Sequence, residues 1–119
     1  MSTAIAQNLL FTEHILWIKN LDQVKIEFKE LQSRLEKALP NFQSQPILAR
    51  VEQFQNRFIR QREVVDELRH EIKQHENHLE RLDEPTHVLL MNHVTLRAQY
   101  NRFYELFIEM ERDFDEFLA

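Results

Sequence analysis

The stretch ALPNFQSQPI, residues 38–47, decides how the chain is divided. It contains Pro40 and Pro46, two of the three prolines in 119 residues, and the third is Pro85 in LDEPTH. Proline is costly inside a helix but is tolerated in its first turn. The prolines therefore predict three helical segments, at about 3–39, 46–82 and 86–118.

Each segment carries one apolar stripe whose steps alternate between three and four residues, which is the heptad pattern of helices that pack side by side. The stripes are Leu10, Trp17, Leu21, Val24, Phe28, Leu31, Leu35 and Ala38; Ile47, Val51, Phe54, Phe58, Val65, Leu68, Ile72, Leu79 and Leu82; and Leu89, Leu96, Tyr100, Phe103, Phe107, Met110, Phe114 and Phe117. No period-two pattern indicates a strand. Because short connections make neighbouring helices antiparallel, we predict an all-α fold. It is one domain over residues 1–119, an elongated antiparallel up-down-up three-helix bundle with heptad packing.

Four polar residues interrupt the stripes: His14, Gln61, His75 and His93. Counting from the turns places His75 level with Leu10 and with His93, and His14 about one helical turn away, so the three histidines are expected near one end of the bundle. We predict that they are buried and neutral near pH 7. Gln61 is interpreted as a buried amide. The other histidines lie off the stripes: His70, His78 and His87.

Two interpretations of the histidine layer stay open. The stripe positions form the seam where the three helices pack together, so histidines there converge as the ligands of a zinc or iron ion must. Glu71 or Glu13 would supply an oxygen ligand or orient a ring. The predicted metal site is therefore His14, His75, His93 and Glu71. In the alternative, the histidines form a buried polar layer that fixes the register of the helices, and Glu71 pairs with Arg97.

Composition excludes several classes of function. The chain has no glycine and no cysteine, so it lacks Gly-rich phosphate loops, thiolate nucleophiles and cysteine-type zinc sites. Its net charge of -5 argues against nucleic acid as a partner. No apolar run approaches membrane-spanning length, and the first residues do not resemble a signal peptide. The expected location is cytoplasmic, with no membrane partner.

Helix 1 carries more apolar residues than its stripe needs, among them Phe11, Ile15 and Ile18. Such a surface is typical of a protein interface, most simply that of a homodimer. The first hypothesis is therefore a non-catalytic scaffold or interaction protein that self-associates. The alternative is a zinc- or iron-binding protein that uses the histidine cluster. An enzyme built on that metal is a third hypothesis, and no catalytic motif supports it.

The stretch RVEQFQNRFIRQREVVDELRHEIKQHE, residues 50–76, resembles small uncharacterised bacterial helical-bundle proteins, and this resemblance implies no particular activity. Inward histidines with nearby carboxylates on long helices are also distantly similar to hemerythrin-like bundles, which implies iron. That family uses four helices and paired H-x-x-x-E and H-x-x-x-H motifs. Three helices without those pairs argue against the di-iron centre of that family, whereas a mononuclear site would not need that pattern.

Overall fold

A computed structural model describes residues 2–81 and 86–119, with side chains from residue 8 onward, as helices and their connections. These residues contain no strand, so the all-α prediction is confirmed. A short 3-10 helix, Leu39–Asn41, follows the first long helix. The long helices are α1 (Ser2–Ala38), α2 (Gln45–Glu80) and α3 (His87–Leu118).

The starts of α2 and α3 are each fixed by a hydroxyl side chain that caps the helix. The Ser44 hydroxyl accepts a hydrogen bond from the backbone N–H of Ile47 at 3.3 Å. The Thr86 hydroxyl accepts one from the N–H of Leu89 at 3.1 Å. Each satisfies a backbone donor that the first turn of a helix leaves unpaired.

The apolar stripes form the core of an elongated molecule, 63 Å long and 19 Å across. With exceptions at the ends, their described members are buried. Ile47 is exposed, while Ala38 and Phe117 are partly buried. Leu82 lies outside the described residues, and Gln61 is partly buried. The core positions predicted from the heptad steps are therefore correct except near the helix ends, where fewer neighbours cover a side chain.

Polar contacts on the flanks fix which positions of the helices lie together. Lys25 of α1 pairs with Asp66 of α2 at 2.9 Å, and Asn20 of α1 donates a hydrogen bond to Tyr100 of α3 at 2.8 Å. The predicted pairing of α1 with α2 was wrong by about one helical turn. The 3-10 helix extends the first helical segment to Asn41, two residues beyond its predicted end at residue 39.

None of the described helices combines the length and the apolar character that crossing a membrane requires.

Candidate metal centre

Three buried histidines, one from each long helix, meet in the interior. Their exposed fractions are 0% for His14, 5% for His75 and 1% for His93. Each occupies a position of its apolar stripe, so the helix rotation that buries the neighbouring leucines also turns the imidazole inward. The prediction that these three residues are buried together is confirmed.

One ring nitrogen of each histidine points to a common centre. His14 Nε2 lies 3.2 Å from His93 Nδ1 and 3.2 Å from His75 Nδ1. One nitrogen from each ring lies within 4.8 Å of the other two. Two nitrogens bound to one zinc ion at 2.0–2.1 Å with a tetrahedral angle are about 3.3–3.4 Å apart. The two nitrogen–nitrogen distances of 3.2 Å are therefore close to the separation expected when two nitrogens bind the same ion.

The second ring nitrogen of each histidine faces an oxygen. His75 Nε2 lies 2.8 Å from the Leu89 carbonyl, and His93 Nε2 lies 3.0 Å from Oε1 of Glu13. His14 Nδ1 is 3.8 Å from Oε1 of Glu76, too far for a hydrogen bond but close enough for attraction. Histidines that bind metals usually donate their outer N–H to a carbonyl or a carboxylate in this way.

These oxygen partners decide where the protons are. A carbonyl or carboxylate oxygen only accepts, so His75 and His93 each carry the proton on Nε2 and, when neutral, present the Nδ1 lone pair to His14 Nε2. A proton on His14 Nε2 serves two acceptors at once, and it leaves His14 Nδ1 buried without a hydrogen-bond partner. The arrangement therefore provides more inward lone pairs than protons.

Glu13 connects the cluster to the surface. Its carboxylate also accepts two hydrogen bonds from the Arg97 guanidinium, one of them 2.8 Å from Nε. The Arg97 hydrogen bond, helped by the one from His93, lowers the pKa of Glu13 from 4.5 to about 2, although burial opposes this change. Glu13 is therefore ionised at neutral pH, and it holds the Nε2 proton on His93.

The surroundings of the cluster are apolar. It lies between the main core and a small cluster formed by Leu10, Leu79 and Leu89. The only tryptophan, Trp17, stacks on the ring of His93 with 5.0 Å between centroids.

Burial in this environment disfavours an imidazolium. Burial, followed by the neighbouring His93 and His75, lowers the pKa of His14 from 6.5 to about 4. Burial also lowers the pKa of His93, although its hydrogen bond to Glu13 opposes the shift. Neutral rings keep their lone pairs available, which a metal requires.

Glu71, the fourth residue of the predicted metal site, is exposed and does not belong to this cluster. Arg97 pairs with Glu13, not with Glu71. Glu13 and Glu76 contact the cluster because they are the direct sequence neighbours of His14 and His75, respectively. Glu76 was missed, since a carboxylate beside a seam has no periodic signal. The three histidines predicted off the stripes are exposed: His70, His78 and His87.

Comparisons with protein-family models, curated proteins and solved structures give no match to this chain.

Proposed function

We propose that this protein binds one transition-metal ion through His14 Nε2, His75 Nδ1 and His93 Nδ1. The observation that carries the proposal is the orientation of the three rings: the outer nitrogens face Leu89, Glu13 and Glu76, and the inner nitrogens hold two lone pairs and one shared proton. A cation replaces the shared inner proton. The His14 proton then moves to Nδ1, where the Glu76 carboxylate attracts it.

Zinc fits this ligand set better than iron. Three imidazoles and one open position form a common zinc site, whereas non-haem iron sites usually include a carboxylate among the ligands. Both nearby carboxylates, Glu13 and Glu76, face outer nitrogens instead. The described residues contain one cluster of this kind, which supports a mononuclear site over the di-iron centre that a hemerythrin-like resemblance implies.

We propose further that the helices run up, down and up with heptad packing, which brings one histidine from each to the same level. Pairs between α1 and α2 support this arrangement, because Asp22 and Lys25 pair with Arg69 and Asp66, respectively, in reversed order.

Zinc titration of the full chain, purified without an affinity tag, tests the metal site. The unchanged protein is expected to bind one equivalent. His75→Leu should abolish binding and still fold, because leucine completes the apolar stripe. The matched control is His70→Leu, since His70 lies on the same helix and is exposed.

The control variant should bind zinc like the unchanged protein. Zinc at about 100 times its dissociation constant should raise the free energy of unfolding by about 2.7 kcal/mol in these two proteins and not in His75→Leu. If the unchanged protein binds no zinc or other transition-metal ion, the layer is a polar spacer that fixes the register.

As a second candidate function we propose a self-associating scaffold. The supporting observation is the apolar exposure of α1, where Leu9, Ile15 and Leu16 are 61%, 66% and 54% exposed. Phe11 and Ile18, which the sequence also offered for this surface, pack partly against the core clusters. The proposed homodimer therefore uses Ile15 and its exposed neighbours. Ion binding and self-association are compatible within one molecule.

A further inference from the structure

Two surface grooves reach the histidine cluster. The first, between α2 and α3, includes His75 together with Glu71, Gln74, His78 and Asn92 in its lining. The second, between α1 and α2, includes His14 in its lining. The third side of the cluster, where Glu13 contacts His93, carries the positive charge of Arg97.

The two grooves differ in charge. The lining of the α2–α3 groove has a carboxylate, Glu71, and no lysine or arginine. The lining of the α1–α2 groove has two carboxylates, Asp22 and Glu76, but it also has two ammonium groups, those of Lys19 and Lys73, and Asp22 is engaged by Arg69. Charge of one sign along a groove concentrates ions of the opposite sign and repels ions of the same sign. The α2–α3 groove is therefore the better route for a cation.

Side chains of types that bind metal ions lie on both sides of His75 in this groove. Glu71 lies four residues before it and His78 three residues after it, spacings that put all three on one face of a helix. Among the three clustered histidines, His75 is also the most exposed, at 5%. The Glu71 carboxylate and the His78 imidazole thus lie about one helical turn from His75, the clustered histidine that lines this groove.

We propose that the α2–α3 groove is the uptake route for a hydrated divalent transition-metal ion. Glu71 and His78 hold the ion at the surface, and His75 then takes it into the cluster. This inference rests on the proposed metal site. It gives Glu71 a transient role, as a ligand during transfer and not in the final complex.

A group that binds only during transfer changes the rates of uptake and release equally and leaves the dissociation constant unchanged. Glu71→Gln combined with His78→Gln is therefore expected to slow both zinc uptake and zinc release by about tenfold, the lower end of electrostatic focusing. The zinc dissociation constant should stay within about twofold of its original value. Both side chains are exposed, so the fold is preserved.

The experiment uses the full chain and zinc alone in stopped-flow mixing, with a chromophoric chelator to follow uptake and release. Lys19→Gln with Lys73→Gln is the matched control for the other groove, and its uptake rate should be unchanged, because the ion does not pass these lysines. Higher salt should slow uptake more in the unchanged protein than in the Glu71 and His78 variant.

Original rates in the Glu71 and His78 variant, or clearly faster uptake in the lysine variant, would overturn this route while the metal site stands. A weaker equilibrium affinity in the Glu71 and His78 variant would also overturn it, because these residues would then belong to the final complex. Lack of zinc binding by the unchanged protein at equilibrium is a separate result, and it contradicts the proposed function itself.

Discussion

His14 Nε2 lies 3.2 Å from His93 Nδ1, although 79 positions separate the two residues in the chain. Heptad positions bring both rings inward, but they do not choose which nitrogen of each ring faces the centre. For His93 a residue outside the core makes that choice, because the Glu13 carboxylate accepts a hydrogen bond from its Nε2–H group. The chemistry of the cluster therefore depends on a residue that contributes nothing to the apolar core.

Replacing Glu13 with glutamine is the first test of this dependence. The amide keeps the size of the side chain but loses the charge that holds the His93 proton on Nε2 and that pairs with Arg97. We expect zinc affinity to fall about 10–100-fold. Competition with a chelator of known affinity measures this change.

A matched control for Glu13 is Glu30→Gln, an exposed position on the same helix. It should leave zinc affinity unchanged. Equal affinities in the two variants would mean that the Glu13 carboxylate does not orient His93.

Heptad spacing was sufficient to predict the buried histidines, because a seam position on a helix fixes whether its side chain faces the core. It did not decide between Glu13 and Glu71 as the nearby carboxylate. That choice depends on the axial level at which α1 packs against α3, where Glu13 contacts His93 and Arg97. Heptad steps repeat along a helix, so they indicate which face is buried and do not fix this level.

The aromatic packing between α2 and α3 should stabilise the protein far from the histidines. Phe114 is fully buried, and its ring centroid lies 5.3 Å from that of Phe54 and 5.3 Å from that of Phe58. We expect Phe114→Ala to lower the free energy of unfolding by about 3–5 kcal/mol, through lost burial and the cavity left behind. Urea denaturation followed by circular dichroism measures the loss.

An exposed apolar residue of α2 supplies the control. Ile59 is 53% exposed, so Ile59→Ala should change the free energy of unfolding by no more than about 0.5 kcal/mol. A similar loss in the two variants would contradict the placement of Phe114 in the core.

Self-association is tested by charging the exposed apolar surface of α1. Ile15→Glu with Leu16→Glu should weaken dimerisation at least about 100-fold, since burying each side chain contributes about 1.5–3 kcal/mol. Sedimentation equilibrium over a range of concentrations measures the change. The control is Gln23→Glu, an exposed polar position of the same helix, and it should not affect assembly. A monomer at every concentration of the unchanged protein would contradict the dimer.

Acid should destabilise the protein in a range set by the histidines. The pKa of His14 falls from 6.5 to about 4 on folding, so the unfolded chain binds more protons between these values. The stability that comes from the neutral ring is fully present above about pH 6.5. It is lost as the pH falls toward 4, on the order of 3 kcal/mol in all. His93 shifts in the same direction and adds to the loss.

At lower pH a second loss of stability comes from Glu13, whose pKa falls from 4.5 to about 2 on folding. Its ion pair with Arg97 is lost as the carboxylate becomes protonated. Bound zinc should make the first loss steeper, since protons compete with the metal for the ring nitrogens. Urea denaturation at a series of pH values, with and without zinc, measures both ranges. His14→Leu should flatten the profile between pH 6.5 and 4 and remove the effect of zinc, whereas His70→Leu, which alters an exposed ring, should leave both unchanged. The same slope in these two variants would mean that the buried ring of His14 does not govern the acid response.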